Sequence, residues 1–223
     1  MSGNTRELRV TGRGRLQVPP DLTRVYVTLE KIWPTYDETL RRSSEETEQI
    51  RDLLQGFGFE AEELKTLEYR VDTEYEGYEE NGAYRRRFVG YRCIHRMKVE
   101  FPSDGERLGK LLNALAVSPA EPEFSIGYAV KDTETARNRL LGLAVADAKR
   151  KAELLAAAAG VSLREIRAVD YSWSSEELEI RTMNAAPTGR LLMKSQTEES
   201  FDMAIQPDDI DVTDTVTVIW SIQ

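Results

Sequence analysis

Between Leu67 and Phe101 the chain alternates apolar and polar residues twice, with a reversal between the two runs, and few folds accommodate that pattern. Leu67, Tyr69, Val71, Thr73 and Tyr75 share one face, with Glu68, Arg70, Asp72 and Glu74 on the other. Tyr91, Cys93, His95, Met97, Val99 and Phe101 repeat the pattern against Arg92, Arg96, Lys98 and Glu100. Successive side chains on a strand point to opposite faces, so both runs read as half-buried strands. Asn81-Gly82 between them supplies the positive-φ residues of a tight turn. The segment is therefore expected to be a long antiparallel hairpin with one wet face.

The rest of the chain adds helices between further strands. Val25, Val27 and Leu29 alternate with Tyr26, Thr28 and Glu30, and an earlier strand runs from Leu8 through Gly12 and Gly14 to Val18. Pro19-Pro20-Asp21 ends it, because proline donates no ladder hydrogen bond. Thr35 with Glu38 has the spacing of a capping box and opens a helix carrying Leu40, Thr47, Ile50, Leu54 and Phe57. Ser103 with Glu106 opens a second helix, with Leu108, Leu111, Leu112 and Leu115 on one face. Phe124 to Val130 reads as a strand. A long helix over Thr133 to Ala159 carries Ala144, Ala148, Ala152 and Ala156 in an i,i+4 row that permits close approach of a neighbour. Ile166 to Trp173 and Val212 to Ile222 are the last two strands.

This order predicts an α+β fold with antiparallel sheets and helices on one face. Residues 22–131 read β-α-β-β-α-β, the order of a ferredoxin-like unit, and an α-β-β extension follows. Gly58, Glu63, Leu64, Lys65, Leu67, Glu68 and Tyr69 match Gly160, Glu165, Ile166, Arg167, Val169, Asp170 and Tyr171 at a constant offset. The match points to an internal duplication with halves at 22–101 and 123–222 inside one domain of residues 1–223. Helix-Gly-strand junctions are common, so chance likeness is the competing reading. Residues 176–204 have no clear period and are expected to form a mobile arm.

Composition excludes some functions. The net charge of -9 opposes broad attraction to nucleic acid or an anionic membrane. A single cysteine cannot form an internal disulfide. No run approaches the roughly 18 apolar residues of a membrane span. The N-terminal residues lack the apolar stretch of a secretory signal, so the expected compartment is the cytoplasm, or the periplasm if a signal has been removed.

Cys93, His95 and Met97 are the sharpest chemical candidates, since thiolate, imidazole and thioether suit a soft metal. Same-face neighbours on a strand stand about 6.6 Å apart, too far to converge easily on one ion. The favoured reading makes Cys93 and Met97 core residues and His95 a hydrogen-bonded histidine near the sheet edge. Gly12-Arg13-Gly14 invites a phosphate-loop reading, but position 17 is Gln17 and a strand follows, so the glycines are expected to mark a bend or bulge. Arg85-Arg86-Arg87 beside Glu76, Glu79 and Glu80 reads as local charge pairing. Glu62-Glu63, Glu79-Glu80, Glu198-Glu199 and Asp208-Asp209-Ile210-Asp211 lack calcium-loop spacing and read as solvated faces. No catalytic residue, metal ligand or cofactor site is assigned. A carboxylate-based hydrolase is the remaining enzymatic alternative.

Several short signals in order resemble the SIMPL domain family, which includes oxidative-stress defence proteins of the YggE type and a periplasmic immunogenic protein. They are Val10-Thr11-Gly12-Arg13-Gly14, Pro20-Asp21, the run from Leu54 to Gly58, and Glu63-Leu64-Lys65-Thr66. Gly90-Tyr91, the Ala-rich helix from Ala144 to Gly160, and Gln206-Pro207-Asp208 with the terminal strand complete the set. The resemblance implies an α+β fold, homo-oligomeric assembly and a link to stress tolerance, and it brings no catalytic residues. The sequence thus leads to a non-catalytic, self-assembling binding or scaffold protein, with a protein partner as a further expectation. Soft-metal or redox handling through Cys93, His95 and Met97 is the alternative.

Overall fold

The structure, a computed structural model, describes residues 6–80, 82–171, 179–181 and 207–223. Asn81, Trp173, Glu198-Glu199 and the expected arm, apart from 179–181, lie outside them. The elements are β1 (Glu7–Val18), β2 (Leu22–Trp33), α1 (Tyr36–Gly56), β3 (Lys65–Glu80) and β4 (Ala83–Pro102). They continue as α2 (Gly105–Ala116), β5 (Glu123–Ala129), α3 (Thr133–Ala159), β6 (Leu163–Asp170), β7 (Glu179–Arg181) and β8 (Ile210–Ile222). The chain is α+β and divides into two compact units. One comprises 1–21, 129–179 and 208–223, and the other 22–128 and 180–207.

The second unit holds a five-stranded sheet in the order β3-β4-β2-β5-β7. With β2-α1-β3-β4-α2-β5 along the chain, the first four positions of that sheet have the ferredoxin-like strand order. β7 adds a short strand inside the stretch expected to lack period. The core is a single cluster. Val25, Val27 and Leu29 of β2 meet Met97, Val99 and Phe101 of β4 beneath Ile50 and Leu54 of α1 and four leucines of α2. Both helices therefore cover one face. The opposite face is laced with ion pairs, among them Arg24–Glu100 at 2.6 Å, Arg92–Glu74 at 2.8 Å and Arg70–Asp72 at 2.8 Å. That is the wet face the alternation required.

The first unit holds a three-stranded antiparallel sheet, β1-β8-β6, under α3. It repeats a pattern of the second unit. In β2-α1-β3-β4 and in β1-α3-β6-β8 the strand last in sequence lies between the other two. The helix ends repeat as well. Gly58 and Gly160 both have positive φ, at 78° and 69°. The N–H groups of Gly58 and Phe59 bond the carbonyls of Gln55 and Leu54, as those of Gly160 and Val161 bond Ala157 and Ala156. This is the same Schellman-type stop at the offset of the sequence match. In this shared pattern β1 holds the place that β2 holds in the other, although the 22–128 segment lies between β1 and α3 in sequence.

Gly12 and Gly14 do not mark a bulge. β1 pairs with β8 in unbroken register from Glu7↔Ser221 to Val18↔Ile210. The glycines instead let α3 reach the strand backbone. A Cβ at Gly12 would stand 2.7 Å from the Ala148 Cβ and closer still to the Ala144 carbonyl oxygen, while one at Gly14 would strike the Leu140 carbonyl. The facing row Ala136, Leu140, Ala144, Ala148, Ala152 and Ala156 is buried, as close approach demands. Val10, Val216, Val218 and Trp220 fill the space beside it.

Helix caps also differ from the sequence reading. Thr35 caps α1 by accepting from the Glu38 N–H, but the Glu38 carboxylate pairs with Arg42 at 3.0 Å. Asp104, not Ser103, caps α2, and the Ser103 hydroxyl accepts instead from Thr23. Nearest to an aspartate one position on, a serine loses the competition for the cap.

Gly12→Ala is expected to lower unfolding stability by roughly 3 kcal/mol or more, because backbone must move to admit one methyl group. Gly142→Ala, in the same sheet-covering helix but facing open space, is expected to raise it by about 0.5–1 kcal/mol. Urea unfolding of the two variants beside the parent chain checks both signs.

Candidate functional site

The chemical candidates named in the sequence converge under α1. Cys93, His95 and Met97 line the inner face of β4 and are 3%, 6% and 1% exposed. β4 is flanked by β3 and β2, so His95 stands on an interior strand and not near a sheet edge. Their cross-strand partners are Val71 opposite Cys93 and Tyr69 opposite His95. Met97 is absorbed into the apolar core.

Above these residues α1 presents a small polar stripe. Thr39, Ser43 and Thr47 are buried at i,i+4 spacing, while Leu40, expected to face inward, is exposed. Each hydroxyl is bonded first to its own helix. Thr39 donates to the Thr35 carbonyl at 2.8 Å, Ser43 to Leu40 at 3.1 Å and Thr47 to Ser43 at 2.7 Å. Hydroxyls satisfied in this way can be buried without leaving an orphan donor.

The network fixes the histidine. The Thr47 Oγ1 lies 2.9 Å from His95 Nδ1, and the Thr66 Oγ1 lies 2.9 Å from Nε2. Thr47 already spends its proton on the Ser43 carbonyl, so Nδ1–H donates to Thr47 and Nε2 accepts from Thr66. The assignment at Nε2 is that of the neutral ring, the form that burial favours. Burial pushes its pKa below the usual 6.5, and the Arg51 guanidinium adds to the effect. The Tyr69 ring stands edge-on to His95 at 5.1 Å, and its hydroxyl meets Ser43 at 2.9 Å. Burial pushes the Cys93 thiol up, against the opposing pull of hydrogen bonds from Tyr69 and Ser43. A protonated thiol is a poor nucleophile and a poor ligand. A metal ion at His95 would have to displace Thr66 from the only ring nitrogen with a lone pair to give. Among the described residues no three His, Cys, Asp or Glu side chains stand close enough together to hold a metal ion.

The exposed chemistry lies at the other end of the same hairpin. Beyond Tyr91, β3 and β4 continue as a two-stranded arm bearing Tyr75, Tyr78, Tyr84, Phe88 and Val89 on its surface, with Tyr84 79% exposed. Phe88 stacks edge-on to Tyr75 at 5.7 Å and to Tyr91 at 5.4 Å, and Tyr91 meets Tyr36 at 5.5 Å. Arg87 pairs with Glu76 at 2.8 Å, as the acidic neighbour implied, while Arg86 lies over the Tyr75 ring. Sequence reasoning placed Tyr75 and Tyr91 on strands but ended its two runs there, and so missed Tyr78, Tyr84 and Phe88, which the longer strands carry.

A family profile described as SIMPL, protein of unknown function (DUF541), matches residues 8–220. No curated protein matches the chain. Among the described residues no helix is long and apolar enough to cross a membrane.

Because His95 has a lower pKa folded than unfolded, its contribution to stability is fully present above about pH 6.5 and is lost as the pH falls through the folded value. It is the only histidine of the chain, so the assignment is unambiguous. Unfolding free energies measured from pH 8 down to pH 5 are expected to fall less steeply for His95→Gln than for the parent. The variant should nevertheless be less stable at pH 8, by roughly 1–3 kcal/mol, since Thr47 and Thr66 lose a well-placed partner.

Proposed function

The chain belongs to the SIMPL family, and from that premise we propose that it is a non-catalytic binding protein that assembles with copies of itself through the β3–β4 arm. One observation carries the reading: the arm exposes a continuous aromatic ladder with no helix over it. Tyrosine and phenylalanine supply large contact area at low conformational cost and are enriched at interfaces.

A second copy is the occupant best matched to this surface. The outer part of β3 carries Glu74, Glu76 and Glu79, whereas β4 returns with Arg85, Arg86 and Arg87. Two copies related by a twofold axis set the acidic strand of each against the basic strand of the other. The same proposal covers a role in oxidative-stress defence exercised by assembly and not by thiol chemistry, since Cys93 is buried and its thiol is held protonated.

Light scattering on the full chain across roughly 1–100 µM is expected to show a species larger than the monomer. Replacing Tyr75, Tyr84 and Phe88 together by serine should return it toward the monomer without loss of the folded signal. A monomer for the parent over that whole range, or an unchanged oligomer in the triple variant, removes the arm from the reading.

A further inference from the structure

β1 is an edge strand of its sheet, and α3 covers that edge with charged side chains. The Asp147 carboxylate accepts the Arg13 backbone N–H at 2.9 Å, and the Lys151 ammonium reaches the Thr11 carbonyl at 3.3 Å. Two of the outward backbone groups of β1 are thereby satisfied by the helix. The same contacts form the floor of a concave site of about 540 Å³ lined by Thr11, Arg13, Arg15, Asp147, Arg150, Lys151 and Thr215. All of these residues lie within one compact unit.

The charge of this concavity runs against the rest of the chain. Four cations line it with a single carboxylate, in a protein of net charge -9. That carboxylate is fully engaged: Oδ1 accepts from Arg150 at 2.6 Å, and Oδ2 accepts from Lys151 at 2.7 Å as well as from the Arg13 N–H. Lys151, then the Arg13 N–H and Arg150, hold Asp147 far below the usual carboxylate range, so it stays ionised at any working pH. Among the described residues no carboxylate pairs with the guanidinium of Arg13 or Arg15. These two stand at i and i+2 on the β1 face away from α3, about 6.6 Å apart along the strand. Short ligand side chains cannot close that gap, but two long arginine side chains can, onto one tetrahedral anion. Thr215 lies opposite Arg13 in the ladder and brings a hydroxyl to the same place.

We propose that this concavity is a binding site for a small phosphate-bearing anion, held by Arg13 and Arg15 with Lys151 and Arg150 behind them. Guanidinium groups match phosphate oxygens in pairs, and a dianion is the ligand that two unneutralised arginines favour over a single carboxylate. Asp147 is the positioning residue. It orients Arg150 and Lys151 and ties them to the strand, and it does not touch the anion. The sequence hint of a phosphate loop at Gly12-Arg13-Gly14 thus returns in another form, with side chains of a strand in place of backbone N–H groups at a helix start. The observations are independent of the hairpin arm, and the proposal goes beyond the assembly reading.

Calorimetric titration of the full chain at low ionic strength tests it, with inorganic phosphate, glycerol phosphate and pyrophosphate as probes and chloride at equal ionic strength as the control. Saturable binding with a dissociation constant on the order of 1 mM or tighter is expected for at least one probe. Preference for glycerol phosphate would name a phosphate monoester as the ligand, and preference for inorganic phosphate or pyrophosphate a free oxyanion. The Arg13→Ala, Arg15→Ala double variant should bind at least about tenfold more weakly, since both charged donors to the anion are lost. Arg41→Ala, an exposed arginine of α1, should bind as the parent does. Among the described residues neither Arg13 nor Arg15 makes a side-chain pair, so circular dichroism of the double variant should be unchanged. Heat indistinguishable from the chloride control, or undiminished binding in the double variant, overturns the site. Duplex DNA binding that survives the phosphate competitor overturns its restriction to small ligands.

Discussion

The contact between the backbone of β1 and the backbone of α3 is the constraint from which the first unit follows. It joins segments more than 120 residues apart in sequence and has no side chain between them at Gly12. Close approach increases dispersion contact and brings helix side chains within reach of the strand edge. Asp147 and Lys151 can bond to the Arg13 N–H and the Thr11 carbonyl only because α3 lies that near. The edge of the sheet, the orientation of the basic side chains and the placement of the Val10, Val216, Val218 and Trp220 core all descend from two glycines facing alanines.

The equivalent helix in the second unit meets the same requirement differently. A helix over a sheet of valines and aromatics needs small residues in its contact stripe, and α1 uses Thr39, Ser43 and Thr47 where α3 uses alanines. A hydroxyl costs desolvation that a methyl group does not, and here the helix carbonyls one turn back offset it. What remains after those bonds are made is acceptor capacity, and His95 Nδ1–H takes it at Thr47. The buried imidazole and the polar stripe therefore require each other. Replacing one alone strands the other, which is why such a network specifies a unique packing more than it adds to stability.

Local periodicity made most elements of the fold legible in advance. The two runs of the hairpin, the long helix ending at Gly160 and the Schellman-type stops at the repeat offset all depend on residues a few positions apart. The pairing of β1 with β8 was not legible, because the two strands lie at opposite ends of the chain and nothing local joins them. The role of Gly12 and Gly14 was missed for the same reason: a glycine in a strand reads as a bulge until the partner that needs the space is known. Cys93 was read as buried and His95 as hydrogen-bonded near a sheet edge from alternation alone, yet His95 lies on an interior strand and its Thr47 and Thr66 partners come from other elements and could not be named. The basic concavity was invisible in sequence, where Arg13 and Asp147 share no motif.

Net charge is a property of the far field, and both proposed surfaces depend on the near field. At physiological ionic strength the Debye length is about 8 Å, so a carboxylate two or three such lengths away contributes little to the potential at Arg13 and Arg15. An acidic chain therefore repels a long polyanion, whose charges sample the whole surface, while leaving a local cationic cleft competent for a small one. The same distinction holds at the hairpin arm. There, Glu74, Glu76 and Glu79 and the basic triplet lie on adjacent strands, so a partner meets their pattern and not their sum. The exclusion drawn from an overall charge of -9 reaches only as far as ligands larger than the screening length.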